Sequence, residues 1–396
     1  MTLKVLHVTS SAQRRGAETF AADLVAELER SGIRQEGFVL HPRDMPPSDG
    51  RSRPTPTSSI LRLDARSLAR FRDAVESWEP DIIQAHGGEA FKYASLRPAR
   101  SRVPVVYRRI GAAPTWIRKG PRRVGHAALM RRAARIVTVA EWLRAEAVEH
   151  FGVDPARVVT IPNGVDAARL TSGRRRADVR ASLDIDDSAP VLLTLGALTW
   201  EKDPLAHLAV AERVLRRVEG AVHIFAGDGA LRSRLDDAAA RSPVRERIRV
   251  LGYRSDVGDV LAASDVLVFA SRADGMEGMP AALIEAGLAG VPVAAYDVAG
   301  VPEVVADGRT GLLARSGDIE DLSRAALTLV LDAEGRRRMA REARVRCEEF
   351  DIRRIAPRYL DVYDAVARTE QSAASMDRGR IRSRQRAPRR LANRPR

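Results

Sequence analysis

A chain of 396 residues, 45% of them apolar and with a formal charge of +14, is too long for one ordinary core and fits two domains of about 150–200 residues with a tail. Its single cysteine, Cys347, excludes an intramolecular disulfide and a cysteine-based metal cluster, and points to a reducing cytosol. The start M-T-L-K-V-L-H-V-T-S-S holds a strand-sized apolar run rather than a secretory core, and no run approaches the roughly 20 apolar residues of a membrane span, so a cytoplasmic protein with peripheral membrane contact at most is expected.

In chain order, short β-branched runs fall at residues 3–9, 36–40, 81–85, 104–107, 135–140 and 157–161. Helical patterns separate them, as at 17–30, where Phe20, Leu24, Val25 and Leu28 share one face. This is the rhythm of a parallel, doubly wound sheet. Residues 43–59 are rich in Pro and Ser and predict an irregular loop. Between residues 97 and 135 stand twelve Lys/Arg and no acid, interleaved with Tyr107, Trp116, Ile117, Val124, Leu129 and Met130. Such a mixture suits an anionic phospholipid surface or an anionic acceptor; a solvated basic face accounts for it equally.

In I-P-N-G-V-D, residues 161–166, Asn163 and Gly164 form a turn and Asp166 caps the segment after it. A polar interval then leads to the strand V-L-L-T-L-G, and the interdomain linker is placed there. The rhythm restarts at 191–195, 221–226, 248–251, 266–270 and 292–295. The expected organisation is a first domain over 1–172, a second over 173–350, an amphipathic helix over 351–369 and a disordered arginine-rich tail over 370–396. Two doubly wound units, each with ligand sites at the carboxyl ends of its strands, place the active site in the cleft between them.

The densest signal is Ser271 to Val293, where Glu277 precedes a helix with Pro280 in its first turn and Glu285 lies more than a turn inside it. Free N–H groups and the positive dipole end between the two carboxylates form a seat for a diphosphate, with Glu277 able to take hydroxyls of a sugar and Glu285 those of a ribose. Read without that seat, each acid simply stabilises the helix start by about 0.3–1 kcal/mol.

The run E-G-M-P-A-A-L-I-E-A, followed by A-G-V-P-V and A-G-V-P-E-V-V-A-D-G-R-T-G-L-L, resembles the Glu-x7-Glu signature of retaining, nucleotide-sugar-dependent glycosyltransferases of the glycogen-synthase-like group. R-G-A-E-T-F at 15–20, I-P-N-G-V-D, A-G-D-G-A-L at 226–231 and L-G-Y-R-S-D-V at 251–257 extend the resemblance over most of residues 3–365. It implies the GT-B fold, α/β with two Rossmann-like domains facing a central cleft, and the crossing of 352–366 back onto the first domain. It also implies a hexosyltransferase using a nucleoside-diphosphate sugar, with a front-face displacement by the acceptor itself.

Carried over residue by residue, the resemblance makes Lys202 the cation for the diphosphate, although its neighbours Glu201 and Asp203 make a solvated lysine the plain reading. Gly16 lets backbone approach a phosphate; Gly278, Met279, Pro280 and Glu285 hold the donor. His86 contacts the sugar, and Arg108 meets acceptor or phosphate. His86, Glu277 and Lys202 form the expected catalytic set. Ala197 departs from the pattern, which places a second phosphate-binding arginine there; Arg272, Arg254 or a first-domain arginine are the candidate substitutes. Gly227 and Gly229 shape a turn but form no G-x-G-x-x-G fingerprint, since residue 232 is arginine. With no Asp-x-Asp after a strand and no His/Cys cluster, a metal-independent reaction without a cofactor beyond the nucleotide sugar is expected. A lipid-linked or cell-envelope glycan is the expected acceptor. Competing readings are a nucleotide-sugar 2-epimerase, a degenerate scaffold missing its arginine at 197, and a nucleic-acid-binding protein. The last is opposed by 5% aromatic content and the absence of base-stacking aromatics among the arginines.

Overall fold

The computed structural model describes residues 3–11, 16–42, 63–98, 100–275 and 277–385, with side chains as far as residue 370. The β-branched runs of the first half form β1 (Lys4–Ser11), β2 (Arg34–His41), β3 (Ile82–His86), β4 (Val105–Arg109), β5 (Arg135–Thr138) and β6 (Val158–Thr160). Around them lie α1 (Gly16–Arg30), α2 (Ala65–Trp78), α3 (Gly88–Ala94), α4 (Gly120–Met130) and α5 (Glu141–Ala145). The second half supplies β7 (Val191–Leu195), β8 (Val222–Ala226), β9 (Ile248–Gly252), β10 (Val266–Phe269), β11 (Val293–Tyr296) and β12 (Gly311–Ala314). Its helices are α6 (Arg176–Ser182), α7 (Pro204–Arg217), α8 (Arg232–Ala240), α9 (Val257–Ala263), α10 (Ala281–Ala289), α11 (Val301–Val304), α12 (Ile319–Leu331) and α13 (Ala333–Cys347), and the described residues end on α14 (Ile352–Gln385).

Both sheets are parallel, with strand orders β2-β1-β3-β4-β5-β6 and β12-β11-β10-β7-β8-β9. The direction of winding reverses between β1 and β3 in one sheet and between β7 and β10 in the other. Each reversal opens a crevice at the carboxyl ends of its strands.

The first sheet is covered on one face by Phe71, Phe91, Tyr107 and Met130. On the other it meets α1 and α14 through Val106, Leu24, Ile355, Tyr359 and Tyr363. The second core gathers Leu192, Val210, Ile224, Leu267, Ile284 and Leu329. Each such side chain adds about 1.5–3 kcal/mol by burial. The end of the chain therefore completes the first domain, and it does so beside the crossing into the second: Val165 N donates to Phe350 O at 2.9 Å and Ile352 N to Val165 O at 3.0 Å.

Three elements differ from the sequence reading. The interval taken as linker contains α6, whose Arg176 and Arg180 grip Asp265 at 2.7 and 2.9 Å, and Val165 and Leu170 already lie in the second core; a polar composition concealed a docked helix. Strand β12 was not recognised, having only Leu312 and Leu313 as large apolar residues. Helix α14 continues past residue 369 to Gln385. The irregular loop expected at 43–59 and residues 386–396 of the tail lie outside the described residues.

Candidate active site

The carboxyl ends of β7 and β10 meet at the reversal of the second sheet, and the loops leaving them carry Lys202 and Glu277. Lys202 Nζ donates to Glu277 Oε2 at 2.5 Å and sits 4.9 Å above the centre of the Phe269 ring. Ser271 Oγ lies 3.5 Å from the same carboxylate oxygen. A small cavity beside them is lined by Gly196, Ala197, Lys202, Pro204, His207 and Phe269. The expected arginine position at 197 thus faces the same space as Lys202.

Backbone packing forms this cavity. At Gly227, φ is +152° and a Cβ would lie 1.8 Å from Gly196 O, so the loops after β7 and β8 touch main chain to main chain. Of the two candidate substitutes in this domain, Arg254 is held by Asp256 at its Nε, 2.7 Å away. Arg272 stacks on Trp200 at 4.5 Å and reaches Asp203 at 3.4 Å and Asp274 at 3.1 Å.

His207, in the first turn of α7, joins the two loops. Its Nδ1 lies 2.9 Å from Asp203 O and its Nε2 accepts from Ala270 N at 3.0 Å. Burial lowers its pKa to about 4. Sequence inspection missed this residue; the available signal was its place four residues after Asp203, which caps the helix by accepting from Ala206 N.

The loop before α10 also meets the first domain. Gly111 and Glu277 form an antiparallel bridge, and a Cβ on Gly278 would lie 2.1 Å from Ile110 O, so only glycine fits this approach of the two domains. Gly278 O accepts from Trp142 Nε1 at 3.2 Å, and Met279 O accepts from Asn163 Nδ2 at 2.5 Å. Asn163 Oδ1 in turn accepts from Arg108 Nη2. Pro280 is the N-cap of α10 rather than a residue of its first turn.

Glu285 lies on α10 beyond this loop and is engaged by protein. Arg169 Nη2 stands 3.2 Å from Glu285 Oε1 and 3.5 Å from Asp23 Oδ2 on α1, bridging the domains. Burial raises the pKa of both carboxylates, with Arg169 opposing it. Arg169 escaped the sequence reading because its partner is 116 residues away.

His86 and Arg108 do not join the Lys202–Glu277 cluster. They lie at the ends of β3 and β4, on the face that packs against α1 and α14, because the alternation of Val106 and Arg108 aims both inward. Arg108 is 1% exposed and its guanidinium lies 3.6 Å from the Phe20 ring centre. Its Nε and Nη1 have no hydrogen-bond partner among the described residues, and burial lowers its pKa. His86 Nε2 is 3.0 Å from His7 Nδ1, and His7 Nε2 is 2.5 Å from Gln35 Oε1. With Gln35 accepting, His7 accepts at Nδ1 and His86 donates, which leaves the lone pair of His86 Nδ1 unengaged. Burial, then His7 and Arg108, holds the His86 pKa well below the usual value. Gly16 is the first residue of α1, and a Cβ there would meet no atom of the described residues within 4 Å.

Residues 175–346 match the family described as Glycosyl transferases group 1, and residues 14–169 match Glycosyltransferase Family 4. The chain is 28% identical over 305 residues to a glycogen synthase of Mycobacterium tuberculosis, spanning 74% of this chain and 71% of that one. It is 25% identical over 281 residues to the UDP-Gal:alpha-D-GlcNAc-diphosphoundecaprenol alpha-1,3-galactosyltransferase of Escherichia coli, spanning 69% and 72%. Among solved structures, Anabaena Alr3699/HepE in complex with UDP and glucose shares the fold, with a TM-score of 0.74 over 92% of this chain and 100% of that chain at 20% identity. With both halves matched in order on two facing doubly wound sheets, the chain is a glycosyltransferase of the GT-B fold whose second half carries the group 1 family and whose first half carries Glycosyltransferase Family 4.

Proposed function

We propose that the enzyme moves a hexose-type sugar from a nucleoside-diphosphate sugar to a lipid-linked or cell-envelope glycan, retaining the anomeric configuration and without a metal. The observation that carries this reading is the Lys202–Glu277 pair at the reversal of the second sheet, closed over by Ile110 and Gly111 of the first domain. When the donor enters, Lys202 turns from Glu277 to the diphosphate, and the start of α10 offers backbone N–H groups to the same oxygens. Glu277, freed of the lysine, takes sugar hydroxyls, and Glu285 takes the ribose alongside Arg169. Positive charge from lysine and helix terminus does the work a metal does elsewhere. The acceptor hydroxyl attacks from the face the diphosphate leaves. In the first domain, His86 Nδ1 receives a sugar hydroxyl and Arg108 an acceptor or phosphate oxygen once the Phe20 ring moves aside. Gly16, with no described atom within 4 Å of where a Cβ would stand, leaves room for a phosphate.

The E. coli relative acts on a diphosphoundecaprenol acceptor by its name, which supports a lipid-linked acceptor here. So does the basic face: Lys119, Arg122, Arg123, Arg131 and Arg132 are exposed around Val124, itself 62% exposed. Arg108 and Arg109 of the same stretch are buried and take no part. No helix among the described residues is long and apolar enough to cross a membrane; we place the protein in the cytoplasm, against the inner membrane face.

The test is thermal stabilisation of wild type, Lys202→Ala and Glu277→Gln by UDP-, GDP- and ADP-sugars. One nucleotide class at 100 times its dissociation constant is expected to stabilise wild type by about 2.7 kcal/mol, with the gain lost in Lys202→Ala. Product anomer by NMR and turnover in chelator then check retention and metal independence. No stabilisation by any of the three classes refutes the donor site.

A further inference from the structure

We propose that His207 is a positioning residue for donor binding, clamping the Lys202 loop to the Glu277 loop so that cation and carboxylate stand at a set spacing. The proposal rests on the reading of those two residues as donor ligands.

The hydrogen bonds leave one arrangement of the ring. Asp203 O is a carbonyl and only accepts, so the imidazole donates to it from Nδ1; Ala270 N only donates, so the lone pair at Nε2 receives it. The imidazole is therefore neutral, with a defined tautomer and both nitrogens used. Its two partners are main-chain atoms. Asp203 follows Lys202 directly, and Ala270 opens the segment that runs through Ser271 to Glu277. A buried histidine that merely filled the core would bond wherever partners were convenient; this one joins the N-cap of α7, directly after Lys202, to the residue that follows β10. A second tie runs parallel, from Arg272 N to Glu201 O at 2.9 Å, so removing His207 loosens the pair of loops without releasing them. Asp203 O also keeps backbone donors in Ala206 N and His207 N, at 3.1 and 3.3 Å. The contact that nothing else replaces is the acceptor for Ala270 N.

The experiment uses the full chain as wild type, His207→Leu and His207→Gln. Leucine fills the space and accepts nothing, whereas glutamine brings a carbonyl oxygen toward Ala270 N. Calorimetric titration with UDP, GDP and ADP identifies the nucleotide that wild type binds. His207→Leu is expected to weaken that affinity about tenfold, the size of one net hydrogen bond, and His207→Gln to recover most of it. Hydrogen exchange without nucleotide is expected to speed up in the peptide spanning 266–277 for His207→Leu alone, with β8 and β11 unchanged. The proposal is overturned if His207→Leu binds as wild type does, or if leucine and glutamine weaken binding alike while exchange at 266–277 stays slow. Wild type that binds none of the three nucleotides, with exchange still faster in His207→Leu, sinks the donor reading and the positioning role with it, leaving only a loop clamp.

Discussion

Arg169 stands between two partly buried carboxylates, Glu285 of the second domain and Asp23 of the first, and replacing it with methionine isolates their mutual repulsion. At an effective dielectric near 20, a pair at 3.2 Å is worth about 5 kcal/mol before desolvation is counted. The Arg169→Met loss is smaller, because one carboxylate escapes by taking a proton. Holding a glutamic acid neutral at pH 7 against an ordinary value near 4.3 costs about 3.7 kcal/mol, which caps the deficit. A destabilisation of about 2–3.5 kcal/mol at pH 7 is expected, under that cap and at or below the roughly 3–5 kcal/mol for breaking a fully buried ion pair. The direction of the shift sets the pH dependence. Burial already raises Glu285 and Asp23, and the variant raises them further, so the folded state binds more protons than the unfolded one. Stability of the variant relative to wild type therefore falls as pH rises and recovers as pH drops; at pH 5 the cap is about 1 kcal/mol. Urea titrations of wild type and variant at both pH values measure this directly. An equal deficit at pH 7 and pH 5, or a deficit under about 0.5 kcal/mol at pH 7, would refute the assignment of Arg169 as the charge that holds the two acids together.

Gly278→Ala places a methyl group 2.1 Å from Ile110 O, so the two domains must part; a drop in kcat/KM of at least about tenfold is expected with each domain still folded, and unchanged kinetics would show that the closed approach is dispensable. Arg272→Gln removes a partly exposed guanidinium from the Glu277 loop; if Arg272 substitutes for the arginine missing at Ala197, affinity for UDP falls about tenfold or more while that for uridine holds, and equal losses for both point elsewhere. Burial depresses the folded-state values of His7, His126 and His207 to about 4 and of His223 to about 3. The unfolded chain therefore binds more protons below pH 6.5, and each histidine removes about 1.4 kcal/mol per pH unit as pH falls toward its folded value. A melting temperature that stays level from pH 7 to pH 4.5 would contradict that burial.

How much of the molecule could be read from sequence depends on how locally each feature is encoded. The β-branched runs and their spacing required both sheets, since a strand buried on two faces has to be continuously apolar and a parallel partner has to be reached through a helix. Lys202 and Glu277 were legible because each sits on the loop after a recognisable strand, and strand order brings those loops together. The direction in which Arg108 points was not legible, for a reason of geometry. In V-V-Y-R-R the alternation of faces is set by the register with β3 and β5, and two adjacent arginines give no sign of which one points inward; both are buried, Arg108 under α1 and α14 and Arg109 against Glu146. Arg169, Asn163 and His207 were illegible as site residues because their partners, Glu285, Met279 and Ala270, are 116, 116 and 63 positions away. These three share a property that motif reading does not capture: they hold loops and domains to one another. A motif marks the groups that meet a ligand, whereas the spacing between those groups is set by tertiary contacts whose residue types vary freely as long as one donor or acceptor is presented. That is also why Ala197 need not end catalysis, for the charge lost at one position can be returned by any cation the fold brings to the same cavity.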